Sequence, residues 1–69
     1  MRANWENVNI KNNSLYATGN GASGRREYRL CPADEPAMLP YGGESDVTVR
    51  EAFEEGRLEL DEMGNAIAS

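Results

Sequence analysis

The chain has 69 residues, seven Lys and Arg against twelve Asp and Glu, no histidine and one cysteine, and its formal net charge is −5. This length predicts a single small domain spanning residues 1–69, whose core is too small for a large enclosed cleft. The composition excludes an internal disulfide, the ordinary zinc patterns and any catalytic pair with a histidine base, and no apolar run reaches the roughly 18 residues of a membrane span.

A β-hairpin is predicted at the start of the chain. Residues 5–10 and 14–18 alternate between apolar and polar side chains, which is the period of a half-buried strand. Asn12 and Asn13 lie between them, and asparagine tolerates the positive φ that a two-residue type I′ turn requires. The predicted register places Ile10 opposite Leu15 and Val8 opposite Ala17.

Residues 19–24 read Gly-Asn-Gly-Ala-Ser-Gly, which has the spacing of a phosphate-binding glycine loop. A dinucleotide site of that type needs a helix directly after the loop. Residues 25–31 instead alternate in the manner of a strand, with Tyr28 and Leu30 on one face. We therefore interpret the glycine segment as a flexible connection in an antiparallel meander, with Leu15 roughly opposite Tyr28.

Residues 32–45 contain three prolines and a Gly-Gly pair, so we expect a long irregular loop. Met38, Leu39 and Tyr41 are expected to pin this loop against the core. If they do not, they form an exposed apolar patch that needs a partner.

A short helix is predicted over residues 49–55. Thr48 and Glu51 have the spacing of a capping box, and Gly56 suits the left-handed position that ends a helix. The spacing of the apolar side chains predicts a buried stripe of Val49, Ala52 and Phe53. Residues 58–60 and 66–68 follow as a short C-terminal strand or hairpin.

These elements predict an α+β fold. It consists of a small antiparallel sheet, built on an N-terminal three-stranded meander, with one short helix near residues 48–56 packed on it and the C-terminal strand or hairpin. An all-β barrel that carries a single helix is the alternative.

The charges are divided unevenly along the chain. Residues 1–31 hold five basic and two acidic side chains, a net +3, whereas residues 32–69 hold two basic and ten acidic side chains, a net −8. Two interpretations stay open: a solvated face that aids solubility, or a negative surface for a basic partner. The candidate acidic face comprises Glu51, Glu54, Glu55, Glu59, Asp61 and Glu62.

A second candidate surface lies in the N-terminal half. The alternation predicts that aromatic and basic side chains share the outer face of the meander, as in sheets that bind single-stranded nucleic acid. The alternative is an ordinary solvated face whose arginines pair with Glu6 and Glu27. The candidate basic and aromatic face comprises Trp5, Tyr16, Arg25, Arg26 and Arg29.

The sequence predicts no catalytic, cofactor-binding or metal-binding residues, and Cys31 is expected to be a small buried apolar residue. We expect a non-enzymatic acidic protein that binds and modulates or inhibits a protein or nucleoprotein with a basic surface. The alternative is a small nucleic-acid-binding module. In size and charge the chain resembles inhibitors from phages and mobile elements, including anti-CRISPR proteins that mimic nucleic acid. The composition predicts a cytoplasmic protein without membrane contact, and the resemblance implies that the cytoplasm is that of a host cell. An exposed edge strand in so small a sheet permits a homodimer.

Overall fold

A computed structural model describes residues 5–69 of the chain. Its elements are, in chain order, β1 (Glu6–Lys11), β2 (Ser14–Gly21), β3 (Gly24–Pro32), β4 (Pro36–Met38), β5 (Glu44–Thr48), α1 (Val49–Glu54), β6 (Leu58–Leu60) and β7 (Ala66–Ala68). The first sheet has the strand order β1-β2-β3, and the second sheet has the order β5-β4-β7-β6. All neighbouring strands are antiparallel except β4 and β7, which are parallel.

The N-terminal hairpin confirms the predicted asparagine turn. Asn12 and Asn13 have φ values of 51° and 61°, and Ile10 pairs with Leu15. The register then shifts between Glu6 and Asn9, so the predicted pairing of Val8 with Ala17 is interrupted. Asn7 lies inside this bulge with a φ of 53°. A bulge of this kind reverses the faces of the residues that precede it.

The glycine segment forms a tight hairpin turn rather than a loop of six residues. β2 continues to Gly21 and β3 begins at Gly24, which leaves only Ala22 and Ser23 between the strands. The expected pairing of Leu15 with Tyr28 is therefore wrong, and Tyr28 instead pairs with Ala17. A strand follows the segment, as the sequence predicted, and the three-stranded antiparallel meander is confirmed.

Residues 32–45 are not an irregular loop, because they contain β4 and the start of β5. Pro36 occupies the first position of β4, where a strand tolerates a residue without an N–H. The connecting turn is closed by a hydrogen bond from the Leu39 N–H to the Gly43 carbonyl at 2.9 Å, and Gly42 and Gly43 both have positive φ. The proline and glycine residues thus bound a hairpin.

The predicted capping box is present at α1. Thr48 Oγ1 accepts from the Glu51 N–H at 3.1 Å, and the Glu51 carboxylate accepts from the Thr48 N–H at 2.9 Å. Gly56 follows the helix with a φ of 71°. Val49 and Ala52 are buried, whereas Phe53 is half-buried. Within the described chain, no helix is long and apolar enough to cross a membrane.

The core lies between the two sheets and is made mostly of small side chains. Leu15 from the first sheet packs with Val49 and Ala52 of α1 and with alanines of β4 and β7. α1 packs mainly on the second sheet and contacts all four of its strands, while Leu15 reaches it from the meander. The fold is broadly α+β but mainly β, with two sheets in place of a single sheet or a barrel.

Candidate functional site

The outer face of the first sheet carries charges that are already partnered. Arg25 forms an ion pair with Glu6, and Lys11 forms one with Glu27 at 2.8 Å. The Arg29 Nε donates to Ser14 Oγ at 2.9 Å. The alternative sequence interpretation named Glu6 and Glu27 as the partners of the arginines, which is correct for Glu6, whereas Glu27 binds the lysine.

Tyr16, Arg25 and Arg29 share this outer face, but Trp5 does not. Gly19 is buried on the inner side of β2, and a Cβ atom placed there would lie 2.6 Å from Trp5 Cε3. The predicted position of Trp5 on the outer face is therefore wrong, because the bulge at Asn7 turns the chain before it to the inner side.

Arg26 is also separated from the outer face. It pairs with Gly19 across the β2–β3 ladder, so its side chain leaves from the inner side of the sheet. Its Cζ lies 5.9 Å from the centroid of the Tyr28 ring. The five residues of the candidate basic and aromatic face therefore do not form one surface.

The structure also divides the candidate acidic face among three elements. Glu51 and Glu54 lie on α1 and Glu55 directly follows it, Glu59 lies on β6, and Asp61 and Glu62 lie in the turn before β7. Leu58 and Leu60 pack against the core, so Glu59 between them points to the other side of the sheet. Two of the six carboxylates maintain local structure: Glu51 in the capping box and Asp61 in its turn.

Asp61 organises the β6–β7 turn. Its carboxylate accepts from the backbone N–H groups of Met63 and Asn65 at 3.0 and 2.8 Å, and from the Asn65 side chain at 2.9 Å. Partial burial opposes ionisation of the Asp61 carboxyl, but these hydrogen bonds outweigh it and hold its pKa below the usual 3.8. Asp61 is therefore a fixed carboxylate acceptor, which does not suit it to proton transfer near neutral pH.

Cys31 is half-buried and packs against the core, which is less burial than the sequence predicted. Burial is the largest cause of a rise in the pKa of its thiol from 9.0 to about 11, and the charge and hydrogen bond of Glu35 act in the same direction. Arg29 lowers the pKa but does not compensate. The thiol is held neutral, which is the opposite of what a nucleophilic cysteine requires.

A row of four residues crosses the outer face of the second sheet, one from each strand. Glu44 pairs with Met38, Met38 pairs with Ile67, and Ile67 pairs with Glu59. Paired residues project to the same face of a sheet, and the opposite face carries the buried Ala37, Ala66 and Ala68. We call Glu44, Met38, Ile67 and Glu59 the transverse row.

The transverse row has an apolar centre and acidic ends. Met38 is 42% exposed and Ile67 is half-buried. Within residues 5–69, the carboxylates of Glu44 and Glu59 form no hydrogen bond or ion pair. Three strand spacings separate the two glutamates, a distance of about 14 Å between backbones.

Tyr41 extends the exposed apolar surface beyond the transverse row. It lies at the tip of the β4–β5 turn and is 87% exposed. The expectation that Met38 and Tyr41 pin this segment to the core is therefore wrong, although Leu39 is half-buried. Met38 and Tyr41 are both exposed, and both lie on the hairpin formed by β4 and β5.

Sequence reasoning missed Glu44 and Ile67 as parts of a surface. Residue 44 was placed in a loop, and the parallel pairing of β4 with β7 has no local sequence signal. The alternation of exposed and buried residues in Pro36–Met38 could have indicated a strand, but three residues are too few to establish a period.

Within the part of the chain that the structure describes, no group of three or more Cys, Asp or Glu side chains could hold a metal ion. Comparison with protein-family models, with curated proteins and with solved structures gives no match to this chain. The function is therefore inferred from the surface chemistry of the chain itself.

Proposed function

We propose that this protein is a non-enzymatic binding protein that attaches to a basic protein or nucleoprotein surface and modulates it. The observation that carries the proposal is the transverse row, in which Met38 is exposed and Ile67 half-buried between Glu44 and Glu59, whose carboxylates have no partner among residues 5–69. The acidic C-terminal half supplies the field around it, because residues 33–69 hold ten acidic and two basic side chains.

The apolar centre favours a protein surface over a purely electrostatic contact. Interfaces combine an apolar centre, which gains from losing water, with a polar rim that sets orientation. Met is adaptable at such a centre because its side chain is unbranched and polarisable. Tyr41, on the neighbouring turn, adds an exposed aromatic side chain of the type enriched in interfaces.

The two terminal glutamates supply specificity. A carboxylate that has no partner within the protein loses only its bound water when it pairs with Lys or Arg of another protein. A carboxylate that is already paired must also break its existing bond. Complementary charge also accelerates encounter by about 10- to 1,000-fold and makes it depend on salt. We expect the partner to present basic side chains about 14 Å apart around an apolar contact, which matches the three strand spacings of the row.

The proposal includes inhibition of a nucleic-acid-binding partner by mimicry of nucleic acid, which the size and charge of the chain suggest. A partner groove that accepts a phosphate backbone also accepts a dense acidic surface, and occupation by this protein would exclude the nucleic acid. The apolar centre distinguishes this mode from simple mimicry, because phosphates offer no equivalent of Met38.

The first experiment is capture of partners from cells of the native host with immobilised protein, read by mass spectrometry. The test variant is Glu44→Lys with Glu59→Lys. The matched control is Glu54→Lys with Glu55→Lys, at the last residue of α1 and the residue after it, where the change also breaks the exposed Glu55–Arg57 ion pair. Each Glu→Lys change adds two charges, so either pair changes the formal net charge from −5 to −1.

We expect a captured protein that the control variant retains and the test variant loses. Its purified form should bind the wild type, with an association rate reduced at least about tenfold by the test variant. Raising the salt from 0.1 to 1 M, which shortens the screening length from about 10 to about 3 Å, should weaken the complex. The transverse row is not the site if both variants bind equally, or if the control variant alone loses binding.

A further inference from the structure

The edge of β3 is a second candidate binding surface, because backbone N–H and carbonyl groups on one side of this strand have no partner strand among the described residues. β3 is an edge strand of nine residues and pairs only with β2 among the described strands. Its residues 24–29 keep an unbroken register with residues 16–21. The other sheet edges are less suited to pairing, since β1 contains a bulge, β5 has a register shift and β6 has only three residues.

The hairpin turn fixes which backbone groups face outward. In a hairpin with a two-residue turn, the residues that flank the turn, here Gly21 and Gly24, form a hydrogen-bonded pair, and the alternation then continues along the strand. Arg25, Glu27 and Arg29 consequently direct their N–H and carbonyl groups away from β2. These groups match the donors and acceptors of one additional antiparallel strand.

A groove lies along the inner side of the same strand. Its volume is about 470 Å³, and Tyr28 and Leu30 of β3 line it together with Trp5 and Met63. The Trp5 and Tyr28 rings meet edge to face with centroids 6.3 Å apart, and Met63 is 83% exposed at the rim. Such a groove suits a single aromatic side chain.

The charge on β3 selects the polarity of a ligand. The strand carries Arg25, Arg26 and Arg29 against one acid, Glu27, although Arg25 is already paired with Glu6 and Arg29 is bonded to Ser14. Within residues 5–69, Arg26 forms no ion pair, and its guanidinium lies near the Tyr28 ring. A second copy of this chain is poorly suited to the edge, because antiparallel pairing centred on Glu27 would place glutamates opposite each other and arginines opposite each other.

We propose that the β3 edge accepts an extended acidic peptide segment of a partner protein as a fourth strand, with one aromatic side chain of the segment in the Trp5–Tyr28 groove. Main-chain hydrogen bonds supply the binding, and the groove and arginines select the side chains. This site goes beyond the proposed function, since it uses the first sheet and the opposite charge.

The register allows a probe to be designed. An antiparallel heptapeptide, acetyl-Val-Glu-Phe-Thr-Glu-Glu-Val-amide, places its glutamates opposite Arg29, Arg26 and Arg25, its threonine opposite Glu27 and its phenylalanine opposite Tyr28. Trp5 is the only tryptophan of the chain and lines the groove, so its fluorescence reports occupancy. Amide chemical shifts of Gly24–Arg29 report pairing at the edge.

Two N-methylated isomers of the probe test the strand geometry without altering the protein. One carries methyl groups on the amides of the two residues opposite Arg25 and Glu27, which face β3. The other carries them on the amides of the residues opposite Arg26 and Tyr28, which face away. We expect the first isomer to bind at least tenfold more weakly than the unmodified peptide, and the second to lose less than threefold.

Two protein variants complete the test. Arg26→Glu should weaken binding of the probe at least threefold, and Glu44→Lys with Glu59→Lys should leave it unchanged, so this proposal and the proposed function fail independently. The inference is overturned if the unmodified peptide does not bind, or if the two methylated isomers bind equally. It is also overturned if sedimentation shows a dimer from which the peptide is excluded.

Discussion

The indole Nε1 of Trp5 donates a hydrogen bond to the backbone carbonyl of Asp61 at 3.0 Å, across 56 positions of the chain. This bond joins the start of the first sheet to the turn between β6 and β7 in the second. A Cβ atom placed at Gly19 would lie 2.6 Å from the same indole, and one placed at Gly64 would lie 3.2 Å from it. Trp5 therefore connects the first sheet to the second.

Trp5→Phe should lower the free energy of unfolding by about 1 kcal/mol, because it removes the indole donor and leaves the Asp61 carbonyl with only the Gly64 N–H. The measurement is urea denaturation followed by circular dichroism, since the variant has no tryptophan. Tyr41→Phe, at a side chain that is 87% exposed, is the control and should leave the midpoint unchanged. Equal midpoints for the wild type and Trp5→Phe would show that the Trp5–Asp61 hydrogen bond does not stabilise the fold.

Gly64→Ala should destabilise the protein more than Gly56→Ala. Both glycines have positive φ, 88° and 71°, so both substitutions carry a backbone cost of about 1–2 kcal/mol. Only at Gly64 would the new methyl group meet neighbours, at 3.0 Å from Leu30 Cδ2 and 3.2 Å from Trp5 Cζ2. We expect an additional loss of about 1 kcal/mol from this overpacking, measured in the same denaturation experiment. Identical losses would show that the space beside Gly64 is not constrained.

Asp61→Asn should reduce stability at neutral pH and lose its effect in acid. The folded-state pKa of Asp61 lies below the usual 3.8, so its contribution is present above that value and disappears as the pH falls through the folded pKa. We expect a difference of about 1 kcal/mol at pH 7 that shrinks below pH 4. Thermal unfolding across pH 2.5–7 measures it. Glu54→Gln removes one negative charge at an exposed position and is the control for net charge.

Cys31 should react slowly with iodoacetamide. A rise of its pKa from 9.0 to about 11 is two units, which reduces the thiolate fraction at pH 8 about a hundredfold relative to the unfolded chain. Mass spectrometry of alkylation in buffer and in urea gives the ratio. Glu35→Gln should increase the rate only partly, because burial is the largest cause of the shift. Equal alkylation rates in buffer and in urea would show that the fold does not raise the pKa of the Cys31 thiol.

The same shift gives the sign of the pH dependence in alkali. The folded protein holds the Cys31 proton more tightly than the unfolded chain, so this contribution to stability is complete below pH 9.0 and is lost as the pH rises toward about 11. Cys31→Ser removes that dependence.

Local chemistry was readable from the sequence wherever a few adjacent residues determine the backbone. The Asn12–Asn13 turn, the Thr48–Glu51 capping box and the helix end at Gly56 all formed as predicted. The period-two alternation also gave the meander. Each of these features depends on neighbours within four positions, and those neighbours are visible in the sequence.

Features that depend on distant pairing were not readable. The bulge at Asn7 moved Trp5 to the inner face, although an alternation pattern cannot show where a strand gains a residue. The strand at Pro36–Met38 is too short to show a period, and its parallel partner lies about thirty positions away. The candidate acidic face follows from the clustering of Asp and Glu in one part of the sequence, whereas the transverse row takes one residue from each of four strands.

The position of β7 has a consequence for how the transverse row comes into being. β7 follows every other strand in chain order, yet it occupies an interior place in the second sheet, between β4 and β6. During synthesis β4 and β5 are made before β7, so β4 has no neighbour on its second side until β7 follows. Ile67 therefore joins the row after Met38 and Glu44. A chain synthesised only as far as β6 therefore lacks Ile67 and does not carry the complete row. β6 pairs only with β7 among the described strands, so the place of Glu59 in the row also depends on this last strand.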